Sequence, residues 1–329
     1  MADGVLSRLR IDPFLLALFT AVVLASIWPP RGTLATVFGF LANAGIVLIF
    51  FLHGAKLSRE AIVAGLTHWR LHLLILALTF LVFPAFGMAL ATLSWLDPAL
   101  ANGVRFLTLV PSTIQSSIAF TAIAGGNVAA AVCAAAFSNL AGVFVTPALS
   151  AALIGAEGGA QLSGGAVARI FGQLLVPFLI GQLMRPLIGE WVSDHKRLVS
   201  VADRGSIVLI AYAAFAAAVV DGLWARAGLL ELLLVAAICI VLVAIMLVVS
   251  MTAARLLGFA REDRIVIQFA GAKKSLAAGI AMAGLLFSPA LAGTMIVPLM
   301  LYHQLQMIAC ALLANRYGRQ VMPDAAAKP

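Results

Sequence analysis

The chain has 329 residues, of which 63% are hydrophobic and only 10% charged, and its mean hydropathy is +1.10. Soluble domains carry roughly 25% charged residues, so this is the composition of an all-α polytopic membrane protein. The net charge of +8 is spread between apolar runs and forms no basic stripe or tail, which excludes a nucleic-acid partner.

The opening MADGVLSRLR and the apolar run after it resemble a secretory signal, but no convincing small-x-small cleavage site follows. It reads as a retained first helix. Runs long enough to span a bilayer as helices fall at 13–28, 34–52, 70–92, 103–123, 127–152, 166–187, 205–220, 229–253, 265–287 and 291–315. The connections are short, so residues 1–329 are expected to form one transmembrane domain. Cys133, Cys239 and Cys310 sit inside apolar runs without metal spacing and read as small hydrophobes.

With a cytoplasmic N-terminus, the inner segments collect fifteen Lys and Arg, from Arg8 and Arg10 to Lys328. The outer segments hold only Arg31, Arg105, Arg169 and Arg226. Positive residues concentrate on the cytoplasmic side, so both termini are expected inside. Ten spans divide into two sets of five, about 11–153 and 165–316, and an odd number per set inverts the second set.

Spans four and nine occupy matching places in the two sets, and both carry a polar interruption. One is VPSTIQSS, Val110 to Ser117, and the other AGAKKS, Ala270 to Ser275. Paired interruptions of this kind point to broken helices that place a transporter binding site at the bilayer midplane. Pro111 cannot donate a helical hydrogen bond and disfavours helix at Val110. Ser112, Thr113, Gln115, Ser116 and Ser117 can satisfy the freed backbone or coordinate a solute. In span nine, Gly271 is expected to supply the permissive backbone.

Lys273 and Lys274 are the only charges between Ile265 and Phe287. A lysine at mid-membrane depth costs about 2.5 to 3.5 kcal/mol on insertion scales, so two of them need a reason. Lys273 lies nine residues past Arg264, about 14 Å in from the membrane edge, which is too deep for easy snorkelling. A buried ion pair is disfavoured, because each acid falls at a span end or in a loop, Asp221 being the nearest candidate. One lysine is therefore expected to face the solute, Lys273 in preference to Lys274, since helical neighbours diverge by about 100°. It would serve as a fixed charge for an anion, a proton carrier or a substitute for a metal cation. Replacing both lysines by Met is expected to abolish transport while leaving insertion intact or improved.

VPSTIQSS in span four, GGNVAAAVCAAAFSNLAGVFVTP in span five and QFAGAKKSLAAG in span nine, in that order, resemble the bile acid:sodium symporter superfamily, in its bacterial SBF-like, YfeH-type branch. The resemblance covers nearly the whole chain. It implies interleaved core and panel subdomains, inverted five-span repeats, crossed broken helices, and transport of organic anions, often with two sodium ions bound behind the crossing. Carried over residue by residue, the family's Ser-Asn pair corresponds to Ser116 and Ser117, which can still coordinate a cation. Two span-five hydroxyl ligands fall at Ala131 and Ala135, the span-nine glutamate at Gln268 and its nearby glutamine at Ala272. Sodium favours several hard oxygen ligands, usually with a carboxylate. The sodium sites are thus expected to be partly dismantled, with Ser116, Ser117 and Gln268 left as weak ligands. Ser138 and Asn139 match polar positions of the family.

Asn43, Gln173 and Gln182 read as helix-packing amides, and Tyr302, His303, Gln304 and Gln306 make span ten unusually polar. His53 with Lys56 and Arg59 fits a cytoplasmic span end. His68, Trp69, His72 and Trp95 fit interface anchors. No GxSxG, HExxH or P-loop is present, so an enzyme is not expected and no cofactor is called for. The expected function is a secondary carrier that moves a small organic anion by alternating access. The site would comprise Pro111, Ser112, Thr113, Gln115, Ser116, Ser117, Ser138, Asn139, Gln268, Gly271, Lys273, Lys274 and Ser275, with sodium or protons as coupling ions left open. The alternatives are a cation/proton antiporter of related fold, or a regulatory membrane protein linked to calcium homeostasis.

Overall fold

The computed structural model describes residues 13–56, 68–91, 96–155, 164–226 and 228–326. Arg8, Arg10, Arg59, Trp95 and Lys328, and the acids Asp3, Asp12, Glu60 and Glu157, lie outside the described residues, as do the side chains of Arg169, Arg226 and Asp324. Among the described residues the chain is helical throughout, without strands.

The helices are α1 Pro13–Ile27, α2 Thr33–Lys56, α3 Trp69–Leu90, α4 Pro98–Leu109, α5 Gln115–Ile123, α6 Val128–Leu153, α7 Gly164–Asp194, α8 Lys196–Val220, α9 Leu229–Leu256, α10 Arg261–Ala272, α11 Leu276–Leu286 and α12 Pro289–Ala326, with a short turn at Leu223–Arg226. Among the described residues, seven segments are long and apolar enough to cross a membrane: α2, α3, α6, α8, α9, α10 with α11, and α12. The chain is a multi-pass membrane protein. The remaining apolar runs are helical too, but α1 is short and α4 and α5 are separated by a break.

Several helices outrun the apolar stretches. The run 205–220 belongs to a helix that begins at Lys196, and the run 291–315 to one that ends at Ala326. Lys, Arg and Asp are tolerated on exposed helix turns, so hydropathy marks where the bilayer ends and not where the helix ends. His195 alone separates α7 from α8.

α2 packs along α7 and α8, and α1 packs on α8. α12 packs against α4, α8, α9 and α11, joining that group to the rest. The α10–α11 segment is the most enclosed: 94% of its apolar window is buried, against 50% or less for each of the other six. The two lysines therefore stand at the centre of the bundle. His72, expected near the interface, is instead 5% exposed and lies with its ring centroid 5.3 Å from that of Phe137. Asp221 ends α8 and is exposed, whereas both lysines are fully buried.

Caps fix the half-helices. Asp97 caps α4 with Oδ1 accepting from the Ala99 and Leu100 amides, and Pro98 supplies a preset first turn. Asn127 caps α6 through the Ala130 amide and donates from Nδ2 to Asp263 Oδ1 at 3.0 Å, tying that end to the start of α10.

Candidate functional site

The first break follows from Pro111. Val110 is extended (φ −74°, ψ 154°), and residues 111–114 separate α4 from α5. An interrupted helix leaves its last carbonyls without helical donors, and here side chains replace them. Leu109 O accepts from Thr146 Oγ1 at 2.7 Å, and Ser112 O accepts from Asn139 Nδ2 at 2.9 Å. The Ser112 amide donates to Ser138 Oγ at 3.0 Å. Ser138 and Asn139 thus brace the break. Gly142 lets α6 lie against Pro111, since a Cβ there would stand 2.8 Å from the proline ring.

The second break occupies Lys273 to Ser275, with Lys273 extended (φ −105°, ψ 147°) and Ser275 capping α11 through the Ala278 amide. The two breaks touch. The Ser275 amide donates to Pro111 O at 2.8 Å, Ser112 Oγ to Ala270 O at 2.7 Å, and Thr113 Oγ1 to Lys274 O at 2.8 Å.

α12 completes this set. Tyr302 OH donates to Ala272 O at 2.6 Å. Gln306 Oε1 accepts the Lys274 amide at 2.7 Å while its Nε2 donates to Lys274 O at 2.8 Å and to His303 Nδ1 at 2.9 Å. Because Oε1 must face the Lys274 N–H, both amide protons of Gln306 face acceptors, which places the His303 ring proton on Nε2. Tyr302 and Gln306 were visible in the sequence only as unexpected polarity in span ten.

Gly271 differs from its expected role. It lies inside α10, and a Cβ there would meet Leu78 Cδ1 at 2.9 Å and Ser250 Oγ at 3.1 Å. It is a close-packing position, and the unwinding begins two residues later. The extended backbone also replaces the helical divergence expected for the lysines, because successive side chains of an extended chain point to opposite sides.

Both lysines are fully buried. Lys273 Nζ donates to Ser116 Oγ and lies 4.4 Å from the Phe120 ring centroid. Lys274 Nζ donates to three backbone carbonyls, Thr79 at 2.8 Å, Thr108 at 2.6 Å and Val110 at 2.9 Å, with the Phe83 ring centroid at 4.3 Å.

A cavity of about 490 Å³ adjoins the crossing. Thr113, Gln115, Ser116, Asn139, Ser275 and His303 contribute to its wall, which is otherwise largely apolar. Its rim carries His53, Arg204 and the ion pair of Lys56 Nζ with Asp203 Oδ2 at 2.8 Å. Arg204 donates to Gln115 Oε1 at 3.3 Å, linking α8 to α5. Neither lysine lines this cavity, in contrast to the expectation for Lys273, which stands directly behind Ser116. Pro111, Ser112, Ser117, Ser138, Gln268, Gly271 and Lys274 are also absent from the wall.

The sequence profile of the SBF-like CPA transporter family matches residues 12–319. The chain belongs to that family. It is 48% identical over 317 residues to the Escherichia coli protein named "Putative symporter YfeH", covering 94% of each chain. A Pseudomonas aeruginosa protein, PA2026, is 51% identical over 318 residues, covering 96% of this chain and 95% of its own. Sodium/bile acid cotransporter 7 of Mus musculus is 27% identical over 316 residues, covering 94% of this chain and 93% of its own. The family sits within the bile acid:sodium symporter superfamily, and its members are transporters and not enzymes.

The residues present do not fit a sodium ion. Ser116 Oγ already accepts from an ammonium group, and Gln268 Oε1 accepts from Tyr317 OH at 2.9 Å while its Nε2 donates to Leu247 O. Ala131 and Ala135 offer only methyl groups. Ser117 Oγ and, one helical turn on, Thr121 Oγ1 are buried without partners among the described residues, two neutral hydroxyls where several hard ligands and usually a carboxylate are needed. No carboxylate is buried among the described residues.

Proposed function

We propose that this transporter is a ten-span carrier, built as two inverted five-helix repeats whose broken helices cross, and that it moves a small organic anion by alternating access. The observation that carries this reading is what faces the cavity. Ile114, Gln115 and Ser116 belong to the start of α5, and Ser275, Leu276 and Ala277 to the start of α11. Two helix N-termini, each with a positive dipole end, thus border one cavity, and the Lys273 side chain, a cation when protonated, ends behind Ser116. Lys56 and Arg204 outweigh Asp203 at the rim, so an anion is drawn in rather than a cation. The charge bias favours the cytoplasmic side for that rim and the bacterial relatives favour an inner membrane, on which reading the cavity belongs to an inward-facing state.

Sodium, which the vertebrate relatives carry in their name, is not adopted as the coupling ion, for the reasons of chemistry given above. The cation/proton antiporter alternative lacks a buried carboxylate among the described residues, and no observation favours a regulatory role.

The test is flux. Purified protein in liposomes is offered labelled small organic anions with sodium or with N-methylglucamine as the external cation. Uptake of at least one anion without sodium, lost in Lys273→Met, is the expected result. Strict dependence on sodium, or proton flux driven by a sodium gradient with no anion present, would replace this reading.

A further inference from the structure

We propose that Thr79 O, Thr108 O, Val110 O and the Phe83 ring form a binding site for a primary ammonium ion, and that Lys274 is its tethered ligand. The inference does not rest on the transport reading, because the site lies outside the cavity wall and its occupant is part of the chain.

The count of donors and acceptors is complete. A lysine ammonium carries three N–H donors and no acceptor. Three carbonyls lie at 2.8, 2.6 and 2.9 Å from Nζ, and the Phe83 ring centroid lies at 4.3 Å with Phe80 at 5.9 Å. Charge-assisted hydrogen bonds of this length are the stronger kind, and an aromatic face attracts a cation. No donor of Lys274 remains for a solute.

Each carbonyl is available for a stated reason. α3 contains a π-helical turn, Leu78–Val82, in which the Phe83 amide bonds to Leu78 O and so passes over Thr79 O. The next residue, Pro84, has no N–H to reach back with. Thr79 O is thereby orphaned by sequence. At the end of α4, the Ser112 amide that would cap Thr108 O goes to Ser138 Oγ, and Val110 O lies beyond the last helical turn. That end is also the negative pole of the α4 dipole. Two interruptions in different helices thus aim three carbonyls at one point, which is the arrangement of a cation site and not of ordinary packing. Lys274 fills it from the second break, so the ammonium ties α3 and α4 to the α10–α11 crossing.

The test removes the side chain and returns its end. Lys274→Ala lacks three methylenes and the ammonium, which together match n-propylammonium. The full-length protein is solubilised and purified with n-propylammonium, ammonium, sodium, tetramethylammonium, n-propanol or N-methylglucamine present throughout, and its unfolding midpoint is measured. A saturable rise of Tm with n-propylammonium, weaker with ammonium and absent with the other four, is expected in Lys274→Ala and not in wild type. Equal rescue by n-propanol would mean cavity filling alone, and rescue by sodium alone would mean a metal site; either overturns the proposal, as does no rescue. Should Lys274→Ala aggregate, the yield of monodisperse protein with n-propylammonium against N-methylglucamine becomes the readout, and equal yields count against the site.

Discussion

Thr79 and Lys274 are 195 positions apart and meet through one hydrogen bond of 2.8 Å, from Nζ to a carbonyl that a π-helical turn has released. That contact makes the more deeply committed lysine a part of the scaffold. It leaves Lys273, bonded to a serine of the cavity wall, as the lysine nearer the cavity.

Lys274→Met separates two effects that a sequence reading merges. Insertion of the segment becomes easier by about 2.5 to 3.5 kcal/mol, since a charge is removed from the helix centre. The packed bundle loses three charge-assisted hydrogen bonds and keeps three buried carbonyls, so its stability is expected to fall by about 3 kcal/mol or more. Membrane yield together with a denaturation midpoint in detergent checks both; an unchanged midpoint would count against the contact.

Pro84 is expected to be coupled to Lys274. In Pro84→Ala an amide at position 84 can reach Thr79 O, so the cost of Lys274→Met should drop by about 1 kcal/mol. A double-mutant cycle on unfolding reads this directly, and additive costs would show that the proline does not expose the carbonyl.

Gln306 and Tyr302 brace the second break to different extents. Gln306→Leu leaves the Lys274 amide without a partner and removes one of the two donors to Lys274 O, Thr113 Oγ1 being the other, and is expected to cost about 2 to 3 kcal/mol. Tyr302→Phe frees only Ala272 O and is expected to cost about 1 kcal/mol. The reverse order in thermal unfolding would mean that the bracing is misassigned.

Gly142→Ala places a methyl against Pro111, 2.8 Å from its Cβ and Cγ. Overpacking of this kind costs about 1 to 3 kcal/mol, and the first break must shift to relieve it. Transport is expected to fall more than expression does, measured as uptake per mole of protein in liposomes; full transport would show that the break tolerates displacement.

Arg204 joins α8 to the first turn of α5 at the cavity rim. Arg204→Met is expected to raise the KM for an anionic solute severalfold and to leave thermal stability nearly unchanged, since exposed polar pairs contribute about 0.2 to 1 kcal/mol. Higher ionic strength should weaken wild type toward the variant.

The two breaks were legible in the sequence because a proline and a pair of charges stand out in apolar runs. What they do to each other was not. The separate destinations of Lys273 and Lys274 depend on an extended backbone at Lys273, whereas periodicity assumes helix throughout. The cage could not be read because its ligands are carbonyls, which every residue has; Pro84 was the one visible sign that Thr79 O lacks a partner. Asp203 and Arg204 reached the cavity rim because α8 continues past its apolar run, where hydropathy places a loop.

The most direct measurement of the central claim, that Lys273 supplies the charge for an anion in the cavity, is ligand-induced thermal stabilisation. Wild type and Lys273→Met are screened against small organic anions with and without sodium. A ligand at a hundred times its Kd stabilises by about 2.7 kcal/mol, well within reach of a melting curve. An anion that stabilises wild type equally with and without sodium, and no longer stabilises Lys273→Met, is the predicted result. Stabilisation that requires sodium, or that survives in Lys273→Met, would contradict it.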